Sequence, residues 1–435
     1  MFRHDSQHSG RSNFDLGPSL IWQRQLGDSV SVKTCPLVVE RESGDAVLIG
    51  SQSGLHAFSS SGESLWVSLI GLIEYAPLVV SGDTGIWLVA SETLFGLSWS
   101  GEIRSRLRVG VSGGHLSGFG NRFYVLADDR LWALDRTGRL LWQTEDLGPG
   151  FENTSAVVDT ATGNVYVITL GNTLAYYDYR LYGFDSLGGQ FFPRKEELLF
   201  WPGGCQLSPV ISSDTLYFGL VYSFGWQSGL LIYDLAGNLL HALSEDDGLG
   251  YITPVVHDST IVLSSIGFNN RLKSYQSCQL QWLYALEPGY SSPVVDDSGN
   301  LAVGTIGGQF LVFNSNGGIG FEYDSLAGQV SSPAVDDSGA IYVATDAGWL
   351  YKFAAEPTGA TEPEVHPQVQ TAIVSSNPFA EQVSIVSQRP FKIYDLTGRL
   401  VFAGQPGRLN WGRDVTRGIY FVETGKAVLK LAKVQ

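Results

Sequence analysis

A Pro-led segment recurs along this chain, and its spacing constrains the fold more than any other feature. Tyr290-Ser291-Ser292-Pro293-Val294-Val295-Asp296-Asp297-Ser298-Gly299 returns as Val330-Ser331-Ser332-Pro333-Ala334-Val335-Asp336-Asp337-Ser338-Gly339, an offset of 40 residues. The same opening stands at Pro36-Leu37-Val38-Val39, Pro77-Leu78-Val79-Val80, Pro209-Val210-Ile211 and Pro254-Val255-Val256. Two copies lack the proline, near His115-Leu116-Ser117 and Ser155-Ala156-Val157-Val158. Within each unit, short apolar runs alternate with Asp/Ser/Gly clusters, which predicts four short antiparallel strands. Ile341-Tyr342-Val343-Ala344 is a second strand, Gly348-Trp349-Leu350-Tyr351-Lys352-Phe353 a third, and Asp135-Arg136-Thr137-Gly138 the type of turn that precedes a fourth. One such sheet cannot bury both faces alone, so neighbours must stack. Closing the stack into a ring leaves only short, protected edges, the β-propeller solution.

The phase of the repeat gives the number of blades and the mode of closure. Fourth strands are expected near Trp22, Trp66, Leu107, Trp142, Trp201, Leu240, Trp282 and Phe321, so eight copies are counted. Seven remains open because the copy between Asn172 and Pro202 is stretched. A spare fourth strand precedes the first Pro-led strand, and the last repeat ends at Phe353 without one. An N-terminal strand is therefore expected to complete the last blade, with each Trp docked between sheets. The expected fold is all-β: a propeller of four-stranded antiparallel blades over residues 1–355, then a small C-terminal β-sandwich over 369–435. Between them, residues 356–368 are rich in Pro, Thr and Glu with few apolar side chains, the composition of an extended linker. In the sandwich, Phe391, Ile393, Tyr394, Leu396, Trp411, Ile419 and Phe421 are expected to form the core.

Composition agrees with this architecture and narrows the function. There are 52 glycines, which supply the positive φ that tight turns need, and charged residues reach only 16%. A formal net charge of −16 disfavours nucleic-acid binding, which demands clustered Lys and Arg. No apolar run reaches the ~18 residues of a membrane-spanning helix. Cys35, Cys205 and Cys278 are odd in number and far apart, with neither metal-ligand nor disulfide-framework spacing, and read as small buried hydrophobes. Met1-Phe2-Arg3-His4-Asp5 is not followed by an apolar signal-peptide region, and Met1 is expected to be internal to a longer protein.

Catalytic motifs do not emerge. The histidines never fall at HExxH-type spacing, and no Gly-x-Ser-x-Gly elbow leads into a helix. Asp296-Asp297-Ser298-Gly299 and its copy lack the spaced oxygens and distal Glu of an EF-hand loop, and read as hairpin turns. Residues just ahead of the Pro-led strands converge around the central channel of a ring. Lys33, Glu74, Gln206, Tyr251, Tyr290 and Val330 stand three positions before a proline, with Asn153 equivalent in a copy lacking it. These mixed polar and aromatic groups could hold a glycan or a peptide by stacking and hydrogen bonding, or simply line a solvated channel. Tyr176-Tyr177-Asp178-Tyr179-Arg180 and Phe224-Gly225-Trp226 form a second candidate surface, or ordinary strands of a lengthened hairpin.

Over residues 1–355 the repeat resembles the short, cofactor-free members of the quinoprotein-like (PQQ-like repeat) propellers, and the opening Met1 to Arg11 is similar to their first segment. The dehydrogenases of that group hold their quinone between a Trp and a disulfide of adjacent cysteines, with a calcium on Glu, Asn and Asp. This chain has no Cys-Cys pair, so neither cofactor nor metal is expected.

The last ~65 residues, by their order of short strands and turns, resemble the C-terminal sorting domain of the type 9 secretion system of Bacteroidetes. The residues that carry the resemblance are Asn377, Pro378 and Phe379, then Tyr394, Asp395 and Gly398, then Trp411 and Gly418. It implies export by the type 9 machinery and a place outside the cell or on its surface. A sandwich that merely braces the main domain is the other reading of these residues. The combined expectation is a secreted or surface-attached, non-catalytic binding propeller. An extracellular enzyme, such as a polysaccharide lyase or hydrolase with its site on the central face, is the alternative, and a scaffold in outer-membrane assembly is a third reading.

Overall fold

The computed structural model describes residues 7, 10–31, 33–41, 44–79, 85–110, 112–127, 129–147, 155–173, 176–192, 195–199, 203–204, 208–222, 228–245, 253–265, 270–355, 373–374, 381–387, 390–396, 399–405, 407–424 and 427–433. Every regular element among them is a β-strand. The chain divides into two compact units, Met1–Glu356 and Pro357–Gln435.

The first unit is a propeller built of eight antiparallel sheets. Sheet 1 runs in order through Leu37–Val39, Ala46–Gly50, Leu55–Ser59 and Ser64–Ser68. The first strands of sheets 2 to 8 are Leu78–Val79, Ser112–Phe119, Val157–Val158, Val210–Ser212, Val255–His257, Val294–Val295 and Ala334–Val335. Sheet 5 carries an extra short strand, Gly203–Gly204, on the far half of Thr215–Tyr222. Sheet 8 takes its fourth strand from the other end of the propeller. Ser19–Gln25 pairs antiparallel with Trp349–Ala354, Trp22 opposite Lys352 and Gln25 opposite Trp349. Leu37–Val39 in turn lies beside Ala334–Val335. The last interface is as apolar as the others: Trp22, Leu26, Val47, Ile49, Tyr342 and Leu350 form one buried cluster across sheets 8 and 1. The ring is thus closed by side-chain packing as well as by strand pairing.

Aromatic rings on one sheet seat on glycines of the next. Trp22 Nε1 donates to the Ser60 carbonyl at 3.1 Å, and its ring lies 2.9 Å from where a Cβ on Gly62 would stand. Trp66 does the same with Trp99 O and Gly101, Trp142 with Ser186 O and Gly188, and Trp282 with Ser315 O and Gly317. These glycines have φ between +81° and +88°, so the turn and the docked ring both require the missing side chain. Sheet 2 solves the problem differently. Ser105 takes the place of the tryptophan, Gly96 beside it leaves a gap, and Trp87 from the second strand reaches across to Gly138. In sheet 4 the fourth strand is Lys195–Leu199, near Trp201 as expected, Trp201 itself lying outside the described residues, and Phe192 seats against Gly237.

The DDSG segments are hairpin turns. Asp296 Oδ1 accepts the Ser298 and Asn300 N–H groups at 2.9 and 2.8 Å, and Asp336 repeats the pattern with Ser338 and Ala340. Cys35 is buried, as expected, whereas Cys278 is only half-buried. It sits with Ser277 in a two-residue hairpin turn at φ +62°, where a chain reversal holds the side chain near the surface. Cys205 lies outside the described residues.

In the second unit, Leu400–Gly404, Phe391–Asp395, Gly418–Thr424 and Ala427–Lys433 form one sheet; Ile373–Val374, Val383–Ser387 and Gly407–Trp411 form another. Its core holds Val383, Ile385, Phe391, Ile393, Trp411, Tyr420, Val422 and Leu431. Phe391, Ile393 and Trp411 are where the sequence puts them. Ile419, Phe421 and Tyr394 are only half-buried, and Leu396 is 68% exposed in a turn. The phase of Gly418–Thr424 is one residue off the expected one. Alternation carries Tyr420 and Val422 inward together, and the Tyr420 hydroxyl reaches the Thr416 carbonyl at 2.6 Å.

Candidate functional site

Two kinds of residue meet in the segments that lead into the first strands. The serines next to the prolines turn inward and stitch the sheets together. Ser292 N donates to Ser332 Oγ at 2.9 Å, Thr253 N to Ser292 Oγ at 2.9 Å, and Ser291 Oγ to the Ser331 carbonyl at 3.0 Å. Ser155 and Ser208 share a hydroxyl–hydroxyl bond at 2.8 Å. All are buried, so each bond is made away from competing water and an orphaned partner would be costly. Sequence reasoning assigned these serines no role. Their recurrence at the repeat offset was the available signal, since a bond from one copy to the next links equivalent positions.

The residues one step further out have mixed fates. Lys33 is half-buried with Nζ 6.0 Å from the centre of the Tyr75 ring, close enough for a cation–π contact. Glu74, the neighbour of Tyr75, is exposed. Tyr290 is half-buried and its carbonyl accepts from Ser332 Oγ at 3.4 Å. Val330 is fully buried in the interface of sheets 7 and 8, so it belongs to the core and not to the channel surface. Asn153, Gln206 and Tyr251 lie outside the described residues. The structure therefore brings Lys33 to the ring of Tyr75, the chain neighbour of Glu74. Of the second candidate surface, Tyr176 to Arg180 lie on the nine-residue strand Tyr176–Phe184, paired with Val165–Thr173 in a lengthened hairpin, while Phe224 to Trp226 lie outside the described residues.

Ser51, His56 and Asp28 meet as a second polar group. Ser51 Oγ is 3.1 Å from His56 Nε2 and 3.2 Å from Asp28 Oδ2. The order is wrong for a nucleophilic triad, in which the histidine stands between the other two. Ser51 is also fully buried, and Asp28 Oδ2 accepts the Ser53 N–H at 2.6 Å, so the group braces the Ser51–Gly54 turn. Burial holds the His56 imidazole below its ordinary pKa, against a smaller opposing pull from Asp28.

Where the first strands end, carboxylates gather. Glu40, just beyond Leu37–Val39, faces Asp337, just beyond Ala334–Val335; interaction with the Asp337 carboxyl raises its pKa first of all, then partial desolvation and the charges of Asp45 and Asp336. Among the described residues no group of acids, histidines and cysteines has the arrangement of a metal site. No described helix is long and apolar enough to cross a membrane.

The segment before Ser19–Gln25 also enters the ring. Gln7 O accepts the Ile211 N–H at 2.9 Å, Gly10 O accepts the Val295 N–H at 2.8 Å, and Ser12 N donates to Val295 O at 2.8 Å. Arg11 forms a parallel bridge with Val295.

Solved structures with this architecture include BamB from Moraxella catarrhalis (16% identity, TM-score 0.60, covering 78% of this chain and 99% of that one). Others are a europium-containing methanol dehydrogenase (11%, TM-score 0.63, 81% and 97%) and the computationally designed Ika8 protein (13%, TM-score 0.53, 78% and 100%). At these identities the likeness is one of fold. No curated protein sequence matches the chain. A family of PQQ-like repeats described as outer membrane protein assembly factor BamB matches residues 51–273, just over half of the 435 residues. The chain belongs to that family of PQQ-like repeat propellers.

Proposed function

We propose that this protein is a non-catalytic binding and interaction propeller, carried out of the cell by the type 9 secretion machinery and working outside it or on its surface. Membership of a family described as an assembly factor supports an interaction or assembly role for the propeller. The observation that carries the binding reading is the contact of Lys33 with Tyr75 beside the exposed Glu74, which this reading takes as the rim of the channel. Lys33, held over Tyr75, and the exposed Glu74 present a cation, a ring and a carboxylate within one short stretch, suited to a glycan or an extended peptide. Tyr290, Asn153, Gln206 and Tyr251 would complete the ring of contacts. In the tail, Tyr394, Asp395, Trp411 and Gly418 belong to the second unit's strands, while Asn377, Pro378, Phe379 and Gly398 lie outside the described residues.

Two experiments test the two halves. A glycan and peptide array probed with the propeller should yield a ligand whose binding falls when Lys33→Ala and Glu74→Ala are combined. Unchanged binding would remove the rim as the site. Residues 357–435, fused behind a signal peptide and an unrelated cargo in a host with type 9 machinery, should place that cargo outside the cell. Cargo retained as fully as without the tail would leave only a bracing role.

The Glu40–Asp337 pair favours a second reading, an enzyme such as a polysaccharide lyase or hydrolase on the central face, because a carboxyl with a raised pKa can act as a general acid. Turnover of a polysaccharide that disappears in Glu40→Gln would establish the enzyme reading over the binding one.

A further inference from the structure

We propose that the inner edges of sheets 5 and 7 are a docking groove for an extended peptide, occupied in this chain by its own Gln7 on sheet 5 and Gly10 to Asn13 on sheet 7. The proposal rests on the reading of the propeller as an interaction module and names the class of partner. The first strand of every propeller sheet has one edge paired within the sheet and the other turned away from it. Such an edge is a template for another extended chain. Here the template is in use. Val295 both donates to Gly10 O and accepts from Ser12 N, each at 2.8 Å, which is the bonding of a parallel strand around Arg11. Ile211, on the first strand of sheet 5, donates to Gln7 O at 2.9 Å.

Side chains fix the register. Asn13 Nδ2 donates to Asp297 Oδ2 at 2.9 Å while Asn13 Oδ1 accepts the Asp297 N–H at 3.0 Å, and Arg11 Nη2 lies 3.9 Å from Asp258 Oδ1. Phe14 then enters the core of sheets 7 and 8 and anchors the segment at one end. Among the described contacts upstream of Phe14 are main-chain hydrogen bonds to Ile211 and Val295 and the surface polar contacts of Arg11 and Asn13, each of a kind that is individually weak. The fit is also incomplete: a small cavity remains between Gly10 and Ser12 on one side and Cys35, Leu37, Val294 and Pro333 on the other. A segment held by main-chain bonds over an unfilled apolar floor is one that a better-fitting extended peptide can displace. Such a peptide would carry a small apolar side chain for the floor and a basic residue facing Asp258.

The test separates the backbone bonds from everything else. Ser12→Pro removes the N–H that bonds Val295, and Gly10→Pro is incompatible with the φ of +67° there. The double variant should keep the parent's β-sheet spectrum and melt, since Phe14 and the strand after it are untouched. Ser12→Ala keeps the N–H and should behave as the parent. The readouts are the alkylation rate of Cys35, followed by peptide mapping, and the anisotropy of a labelled peptide with the sequence of residues 5–13. In the double variant, alkylation should rise about tenfold, the scale set by losing two main-chain bonds, and the labelled peptide should bind. The parent should do neither. Unchanged alkylation would show that the segment does not cover the groove, and faster alkylation without peptide binding would show a plug but no docking site. Either result overturns the proposal. The rim array on the same variant keeps the cases distinct, because retained rim binding leaves the interaction reading standing when the groove fails.

Discussion

Two five-residue turns in this protein share the pattern Asp-x-Thr-Gly-Arg, one in each unit, and they do different work. In the propeller, Asp135 Oδ1 accepts the Arg139 N–H at 3.1 Å and Arg139 Nε lies 3.2 Å from Asp135 Oδ2. In the second unit, Asp395 and Arg399 repeat both bonds at 3.1 and 2.9 Å. Each aspartate also donates its own N–H to the arginine carbonyl, at 2.9 and 3.0 Å. Local chemistry is therefore the same. Around Asp135 the turn is a socket, because Trp87 of the preceding sheet rests on Gly138. Around Asp395 the described neighbours Leu396 and Leu400 are 68% and 50% exposed. A turn is written by five residues, but whether it carries load depends on what packs against it.

The contrast breaks most visibly at a docked ring. Trp22→Ala should cost the propeller about 3–5 kcal/mol, the scale of emptying a buried aromatic site, and leave the melting of residues 357–435 unchanged. Calorimetry of the full chain and of the isolated tail checks this. A shift in both transitions would mean that the two units do not melt independently. A smaller effect is expected from the turns themselves. Asp135→Ala and Asp395→Ala should each cost about 1 kcal/mol, the worth of the turn's hydrogen bonds, and each in its own unit's transition alone. Markedly unequal costs would show that the docked tryptophan depends on the aspartate.

The smallest expected effect concerns charge. Glu40 has a raised pKa in the fold because it faces Asp337 first of all, and other carboxylates. Its protonated form is the one the fold favours, so its contribution is present below the unfolded value of 4.5 and lost as pH rises through the raised value. Glu40→Gln should therefore melt slightly higher than the parent at neutral pH, with the difference closing in acid. A variant equally stable at both pH values would show that the Glu40–Asp337 contact has no energetic weight.

Much of the fold was legible because it is written in repetition. The offset between Pro293 and Pro333 marks successive sheets, and the unpaired phase at Trp22 and Phe353 foretells the strand pairing that joins the ends. The Trp-to-Gly docking was half legible: Trp22, Trp66, Trp142 and Trp282 stand at equivalent positions, but Trp87 reaching over Gly96 does not show in a one-dimensional repeat. The candidate site was less legible still. Counting back from each proline selected Lys33, half-buried, and Glu74, exposed, yet it also selected Val330, which is fully buried. Equal spacing does not imply equal environment, since a connector can rotate between one sheet and the next.

By itself the sequence determined the all-β class, the sheet order and the turns, because these depend on alternation, glycine and proline acting over a few residues. Tertiary structure alone decided which face of Gly418–Thr424 turns inward, that the serines beside the prolines bond sheet to sheet, and that Gln7 joins Ile211 and Gly10 to Ser12 add themselves to Val295. Those choices depend on groups separated by 39 to 284 residues, as in the bonds Thr253–Ser292 and Asn13–Asp297. No local pattern encodes such a partner; it exists only once the ring has closed and brought it within reach.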